Sequence, residues 1–113
     1  MTMRIAVPST GNRKLSNKIA DTFSRAPIFT IVTIDDNQIS STDVISNPGE
    51  KLERGAGPLA ARTLKDNDID VLLTIDMGPG AKNILEALGI EISIVEEEKS
   101  VKELVENYLA LNQ

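Results

Sequence analysis

At 113 residues, with 41% hydrophobic and 26% charged residues, the chain has the make-up of one globular domain, residues 1–113, within the common range of roughly 100 to 200 residues. Twelve basic against seventeen acidic residues give a net charge of -5, and one Tyr, two Phe and no Trp leave little for base stacking, so nucleic acid is disfavoured as a partner. The absence of Cys and His removes disulfides, thiolate and imidazole ligands and the commonest general base, and with neither a leader-like segment nor an apolar run near the roughly 20 residues that cross a bilayer, a cytoplasmic protein without membrane contact is expected.

The first element, Ile5-Ala6-Val7, is an apolar strand suited to the middle of a sheet and ends at Pro8; the polar run Ser9-Thr10-Gly11-Asn12-Arg13-Lys14 reads as a loop. Ile28-Phe29-Thr30-Ile31-Val32-Thr33-Ile34 is rich in β-branched residues and makes the second strand. Asp35-Asp36-Asn37 turns it into a third, more polar strand over residues 38–46, so the pair forms a hairpin. Asn47-Pro48-Gly49 breaks that strand and opens a loop reaching Gly57, longer than the usual roughly four to six residues. Loops of such length often carry function. From Pro58, a first helix places Leu59, Ala60, Thr63 and Leu64 on one face and stops at Asp66-Asn67-Asp68.

Val71-Leu72-Leu73-Thr74-Ile75 is apolar throughout, as a strand covered on both faces must be, and is expected at the centre of the sheet. Gly78-Pro79-Gly80 opens a second helix, with Ala81, Ile84, Leu85 and Leu88 on one face and Gly89 as its C-terminal cap. Ile90, Ile92 and Ile94 alternate with Glu91 and Ser93, which points to an edge strand with one solvated face. Ser100 and Glu103 form a capping box ahead of Val101, Leu104, Val105, Tyr108 and Leu109, an amphipathic third helix. Asn112 and Gln113 should fray. The simplest α/β arrangement is a five-stranded mixed sheet of order 3-2-1-4-5, with strands 1, 4 and 5 parallel and helices on both faces. That order is the ribonuclease H-like one.

In an open α/β sheet, ligands bind beyond the carboxyl ends of the parallel strands. Three loops should converge there: residues 9–14, residues 76–80, and a turn containing Glu96-Glu97-Glu98. The segment Arg54-Gly55-Ala56-Gly57 is expected to join them. Gly55 and Gly57, like Gly78 and Gly80, deliver glycines to a helix N-terminus, where free N–H groups and the helix dipole favour an anion. Read singly, each motif is an ordinary turn, and neither matches the dinucleotide fingerprint or the P-loop. Arg13, Lys14, Arg25, Arg54 and Lys82 lie in or beside these loops; alone each is a solvated charge, together they make a positive site in an acidic protein. Arg25 stands out because it lies between Phe23 and Ala26-Pro27, where its guanidinium would be fixed.

A two-metal nuclease would need carboxylates on the first and fourth strands, and the first has none. Asp76 is read as a helix cap, Met77 as core, Asp35-Asp36 as a hairpin turn, and Glu96-Glu97-Glu98 as a solvated run. No catalytic residue and no metal ligand is assigned, and an enzyme is not expected.

Four segments in order, Arg4-Ile5-Ala6-Val7-Pro8, Phe23-Ser24-Arg25-Ala26-Pro27, Gly55-Ala56-Gly57 and Gly78-Pro79, resemble the dinitrogenase iron-molybdenum cofactor biosynthesis family over nearly the whole length. The resemblance implies a single nitrogenase accessory factor-like domain with a three-layer ribonuclease H-like fold. It implies a role in carrying, inserting or protecting iron-molybdenum cofactor or its iron-sulfur precursors, beside a cofactor-assembly protein, and no catalysis. The family pattern places a histidine where this chain has Thr22, often another where it has Arg54, and a glycine where it has Ser24. Two functions follow: a binding domain for an anionic cofactor held by N–H groups and arginines, with Arg25, Arg54, Gly55, Gly57, Gly78 and Gly80 as the cofactor-binding set, or an interaction or regulatory module with a vestigial pocket.

Overall fold

The computed structural model describes residues 2–95 and 99–111; the Glu96-Glu97-Glu98 run and the frayed end expected at Asn112 and Gln113 lie outside them. The elements in order are β1 (Thr2–Thr10), a 3-10 turn (Lys14–Ser16), β2 (Lys18–Ile19), β3 (Ile28–Asp35), β4 (Gln38–Ser46), α1 (Ala56–Asp66), β5 (Val71–Thr74), α2 (Pro79–Ala87), β6 (Glu91–Ile94) and α3 (Val101–Leu111).

Among the described residues the sheet is mixed and has six strands, not five, in the order β4-β3-β1-β5-β6, with β2 paired to β1. β1 runs antiparallel to β3 and parallel to β5, and β5 runs parallel to β6. Apart from β2, this is the expected order. The added strand is two residues long, pairing Ser9 with Ile19 and Thr10 with Lys18, too short to leave a period in the sequence. Its partners are distant: Ile19 N donates to the Lys99 carbonyl at 3.3 Å, and Ala20 N to the Pro8 carbonyl at 2.7 Å. β1 therefore continues two residues beyond Pro8. The missing proline N–H costs no ladder bond to β5, because that pairing ends at Ala6 and Leu72.

Alternation along the strands divides the core in two. Ile5, Val7, Val32, Ile34, Val71 and Leu73 face Val101, Leu104, Val105 and Leu109 of α3. Ala6, Phe29, Ile31 and Leu72 face Ala60, Ala61 and Leu64 of α1 and Leu85 of α2. Helices thus cover both faces. The middle strand is β1; β5, although wholly buried, is an interior strand one place from the edge. Both edges fall where their polar content puts them, on β4 and β6. The alternation of β6 holds at Ile90 and Ile92, which pack in or against the α1 and α2 core, but Ile94 is 63% exposed.

The β3–β4 turn sets Asp36 at φ 50° and Asn37 at φ 66°, the left-handed pair whose twist matches that of the two strands. α1 starts at Ala56, two residues ahead of Pro58, and its buried face is Ala56, Ala60, Ala61 and Leu64. Leu59 and Thr63 are only half-buried. Pro58 fits in the first turn, where its missing N–H has no intrahelical role. The capping box is present: Glu103 N donates to Ser100 Oγ at 3.2 Å and Ser100 N to Glu103 Oε1 at 3.3 Å.

Candidate functional site

The chain reaches the start of α1 through Gly55, at φ 76°, and the start of α2 through Gly78, at φ -67° and ψ 153°. Neither helix has a side-chain cap or an acidic residue in its first turn. The first intrahelical donors are Leu59 N, to the Gly55 carbonyl at 3.1 Å, and Lys82 N, to the Gly78 carbonyl at 3.1 Å. That leaves the N–H groups of Ala56 and Gly57, and of Gly80 and Ala81, without intrahelical partners. The two ends are neighbours, since a Cβ built on Gly57 would lie 3.6 Å from the Ala81 Cβ. Around Gly55, Gly78 and Gly80 a Cβ would meet nothing within 4 Å, so these glycines face open space.

The loop before α1 is tied down by two polar side chains. Asn47, 4% exposed, donates to the Ser24 carbonyl at 2.9 Å and the Ala26 carbonyl at 2.8 Å, and accepts from Gly49 N at 2.9 Å. Arg25 is fixed, as its setting predicted, but its partners are backbone: the guanidinium donates to the carbonyls of Leu52 and Glu53, the latter at 3.2 Å. Phe23 and Ala26 hold the Arg25 backbone from either side, at 3% and 0% exposure. Phe23 stacks at a tilt on Phe29, ring centroids 5.7 Å apart. Arg54 is exposed, and among the described residues its guanidinium makes no hydrogen bond.

A hollow of about 100 Å³ lies against the α2 end, lined by Asp21, Thr22, Phe23, Ser24, Asp76, Met77, Gly78 and Ala81. Of the six predicted binding residues only Gly78 lines it. Asp76 does not cap α2; its Oδ1 accepts from Met77 N at 2.7 Å, and Gly78 holds the cap position. Met77 is half-buried and packs at the margin of the α1 and α2 core. Residues 9–14 turn the other way. Arg13 N donates to Asn17 Oδ1 at 2.7 Å, Asn17 Nδ2 to Thr30 Oγ1 at 3.3 Å, and Thr30 Oγ1 to Ser9 Oγ at 3.0 Å. Val101 N bonds the Asn17 carbonyl at 2.8 Å, which draws that loop towards α3. Residues 21–24 take the place foreseen for it. Larger hollows of about 470 and 480 Å³ flank α3, and none of the six predicted residues lines them.

The family profile described as "Dinitrogenase iron-molybdenum cofactor" matches residues 1–111. The chain belongs to this family. Among solved structures, the apo form of the orange protein from Desulfovibrio gigas is similar at a TM-score of 0.86 and 32% identity, over 96% of this chain and 88% of that one. A Thermotoga protein solved by NMR gives a TM-score of 0.76 at 27% identity, over 94% and 86% of the two chains. An uncharacterized protein of Methanocaldococcus jannaschii is 27% identical over 90 residues, 80% of this chain and 72% of the relative.

The family's name raises the question whether this chain can ligate a metal cluster. With no Cys and no His, and no group of three or more potential ligands among the described residues, side-chain ligation of iron does not fit. What the chain offers instead is a pair of helix ends with free N–H donors and Arg54 beside them, a donor set for an anion held as a whole. Among the described residues, no helix is long and apolar enough to cross a membrane.

Proposed function

We propose that this chain is a non-catalytic binding domain, on a ribonuclease H-like fold, for an anionic cofactor of the iron-molybdenum or iron-sulfur precursor class, acting in metallocofactor assembly or delivery. The observation that carries this reading is the meeting of two uncapped helix N-termini, free of first-turn acids, at Gly57 and Ala81. Each end attracts negative charge by roughly 0.3 to 1 kcal/mol. Arg54, exposed just ahead of Gly55, adds the charge that these ends lack. Family membership and the likeness to a protein solved as an apo form support a ligand-carrying role.

A second reading, an interaction or regulatory module with a vestigial pocket, is favoured by Asp21 and Asp76, whose carboxylates line the small hollow at the α2 end and oppose an anion there. Anaerobic reconstitution with iron and sulfide, followed by gel filtration, and titration with tetrathiomolybdate separate the two. Retained chromophore, or shifts at the Ala56, Gly57, Gly80 and Ala81 amides, is the outcome of the first reading. A colourless protein, unshifted at millimolar tetrathiomolybdate and eluting with a stable protein partner, is that of the second.

A further inference from the structure

We infer that Arg25 is a positioning residue: it fixes the backbone ahead of α1 and thereby aims the α1 N–H donors at the anion, without touching the anion itself. This rests on the anion-site reading above. The loop into α1 is a short ladder of turns, Glu50 N to the Asn47 carbonyl and Leu52 N to the Gly49 carbonyl, each at 3.2 Å. Its first rungs are locked to the core by Asn47 and by Gly49, whose α-hydrogen side faces the Ala56 and Ser24 carbonyls. Its last rungs are not. Leu52 is 37% exposed and residues 53–55 are exposed, so the Arg25 fork onto the Leu52 and Glu53 carbonyls holds the stretch that sets where Gly55 and Ala56 stand.

The chemistry of the fork matters. A guanidinium presents planar paired donors that reach two carbonyls at once, whereas an ammonium keeps the charge and loses that geometry. A residue that served the ligand through charge alone would tolerate Arg25→Lys; a residue that positions the loop would not. The amide of Leu59 reports the first turn of α1 directly, because it bonds the Gly55 carbonyl.

The test compares the wild type with Arg25→Lys and Arg25→Ala in hydrogen exchange and in binding of tetrathiomolybdate at several salt concentrations. In both variants the Leu59 amide should exchange about tenfold faster, with Leu72 in β5 unchanged. Both should bind about tenfold more weakly, with the wild-type salt dependence retained. Arg25→Lys indistinguishable from wild type in exchange and affinity overturns the inference while leaving the anion site standing. So does an Arg25→Ala variant whose salt dependence falls by the share of one charge. A wild type that binds nothing overturns the anion site and Arg25's part in it together.

Discussion

Gly49→Ala adds one methyl group at the most crowded glycine of the loop that leads to α1. Its Cβ would sit 2.7 Å from the Ala56 carbonyl oxygen, 3.2 Å from the Ser24 carbonyl oxygen and 3.3 Å from the Ala56 Cα. All three are backbone atoms, so no side chain can swing aside. Ordinary contact begins at 3.4 Å, and the start of α1 must retreat by more than half an ångström to restore it. Overpacking of this kind costs about 1 to 3 kcal/mol. Alanine's stiffer unfolded chain offsets about 0.4 to 1 kcal/mol, since Gly49 has no positive φ to forbid it. The net loss is about 1 to 2 kcal/mol, which in a domain of this size lowers Tm by roughly 4 to 9 °C. Thermal and urea unfolding followed by circular dichroism measure it, with Gly78→Ala, where a Cβ meets nothing within 4 Å, as the unperturbed control. A Gly49→Ala protein that melts with the wild type, or a Gly78→Ala protein that loses as much, would refute the packing argument.

Tyr108, the one tyrosine of the chain, is raised to about 12 by burial and by donating to Glu91 Oε2 at 2.6 Å, so its phenolate absorbance should appear well above the usual pH near 10. Because the folded value is the higher one, the stability it contributes is complete below pH of about 10 and disappears as pH rises through about 12; Glu91→Gln should move the midpoint down without reaching the ordinary value, and an unshifted midpoint in the wild type refutes the contact. Ser100→Ala removes the hydroxyl that Glu103 N donates to and should cost about 1 kcal/mol in urea unfolding. Hydrogen bonds from Ser100 hold the Glu103 carboxyl below its ordinary value, so this support is present above pH of about 4.5 and lost as pH falls through the lowered value; acid unfolding that is the same in Ser100→Ala and wild type counts against it. Gly78→Val is compatible with the backbone at φ -67° and ψ 153° and should leave Tm within a few degrees while abolishing amide shifts on tetrathiomolybdate titration; undiminished binding would move the site away from α2.

The elements that showed in the sequence are those whose causes are local. Ser100 and Glu103 are three residues apart and cap α3 by themselves; Asp36 and Asn37 adopt the left-handed turn their side chains tolerate; Gly89, at φ 80°, ends α2 where its periodic residues end. β2 and the last two residues of β1 did not show, because Ile19 bonds Lys99 and Ser9 and Thr10 pair with Ile19 and Lys18, and no window of a few residues contains both partners. The same separation governs the site. The glycines at 55, 57, 78 and 80 were legible as helix starts, since Gly and Pro leave a local mark. Asn47 was not: beside Pro48-Gly49 it reads as a turn residue, and its bonds to Ser24 and Ala26 span 23 and 21 residues. Asp21 lacked any mark of its own, and Thr22 and Ser24 stood out only through the family resemblance; all three line the hollow at the α2 end.

The absence of histidine and cysteine changes what the surrounding structure must do. A cluster bound through thiolates draws its affinity from a few strong bonds and tolerates some slack in the backbone. One held by N–H groups draws roughly 0.3 to 1 kcal/mol from each helix end, and those contributions exist only while the donors point at the same place. The cost of ordering the donors on binding, about 1 to 2 kcal/mol for each backbone residue fixed, would cancel them. A site of this kind therefore needs its donors ordered before the ligand arrives. Buried Asn47, crowded Gly49 and forked Arg25 supply that order for α1, and Pro79 at the first position supplies part of it for α2. On the proposed anion-site reading, the residues that decide affinity are then as much those that hold the loop as those that face the anion.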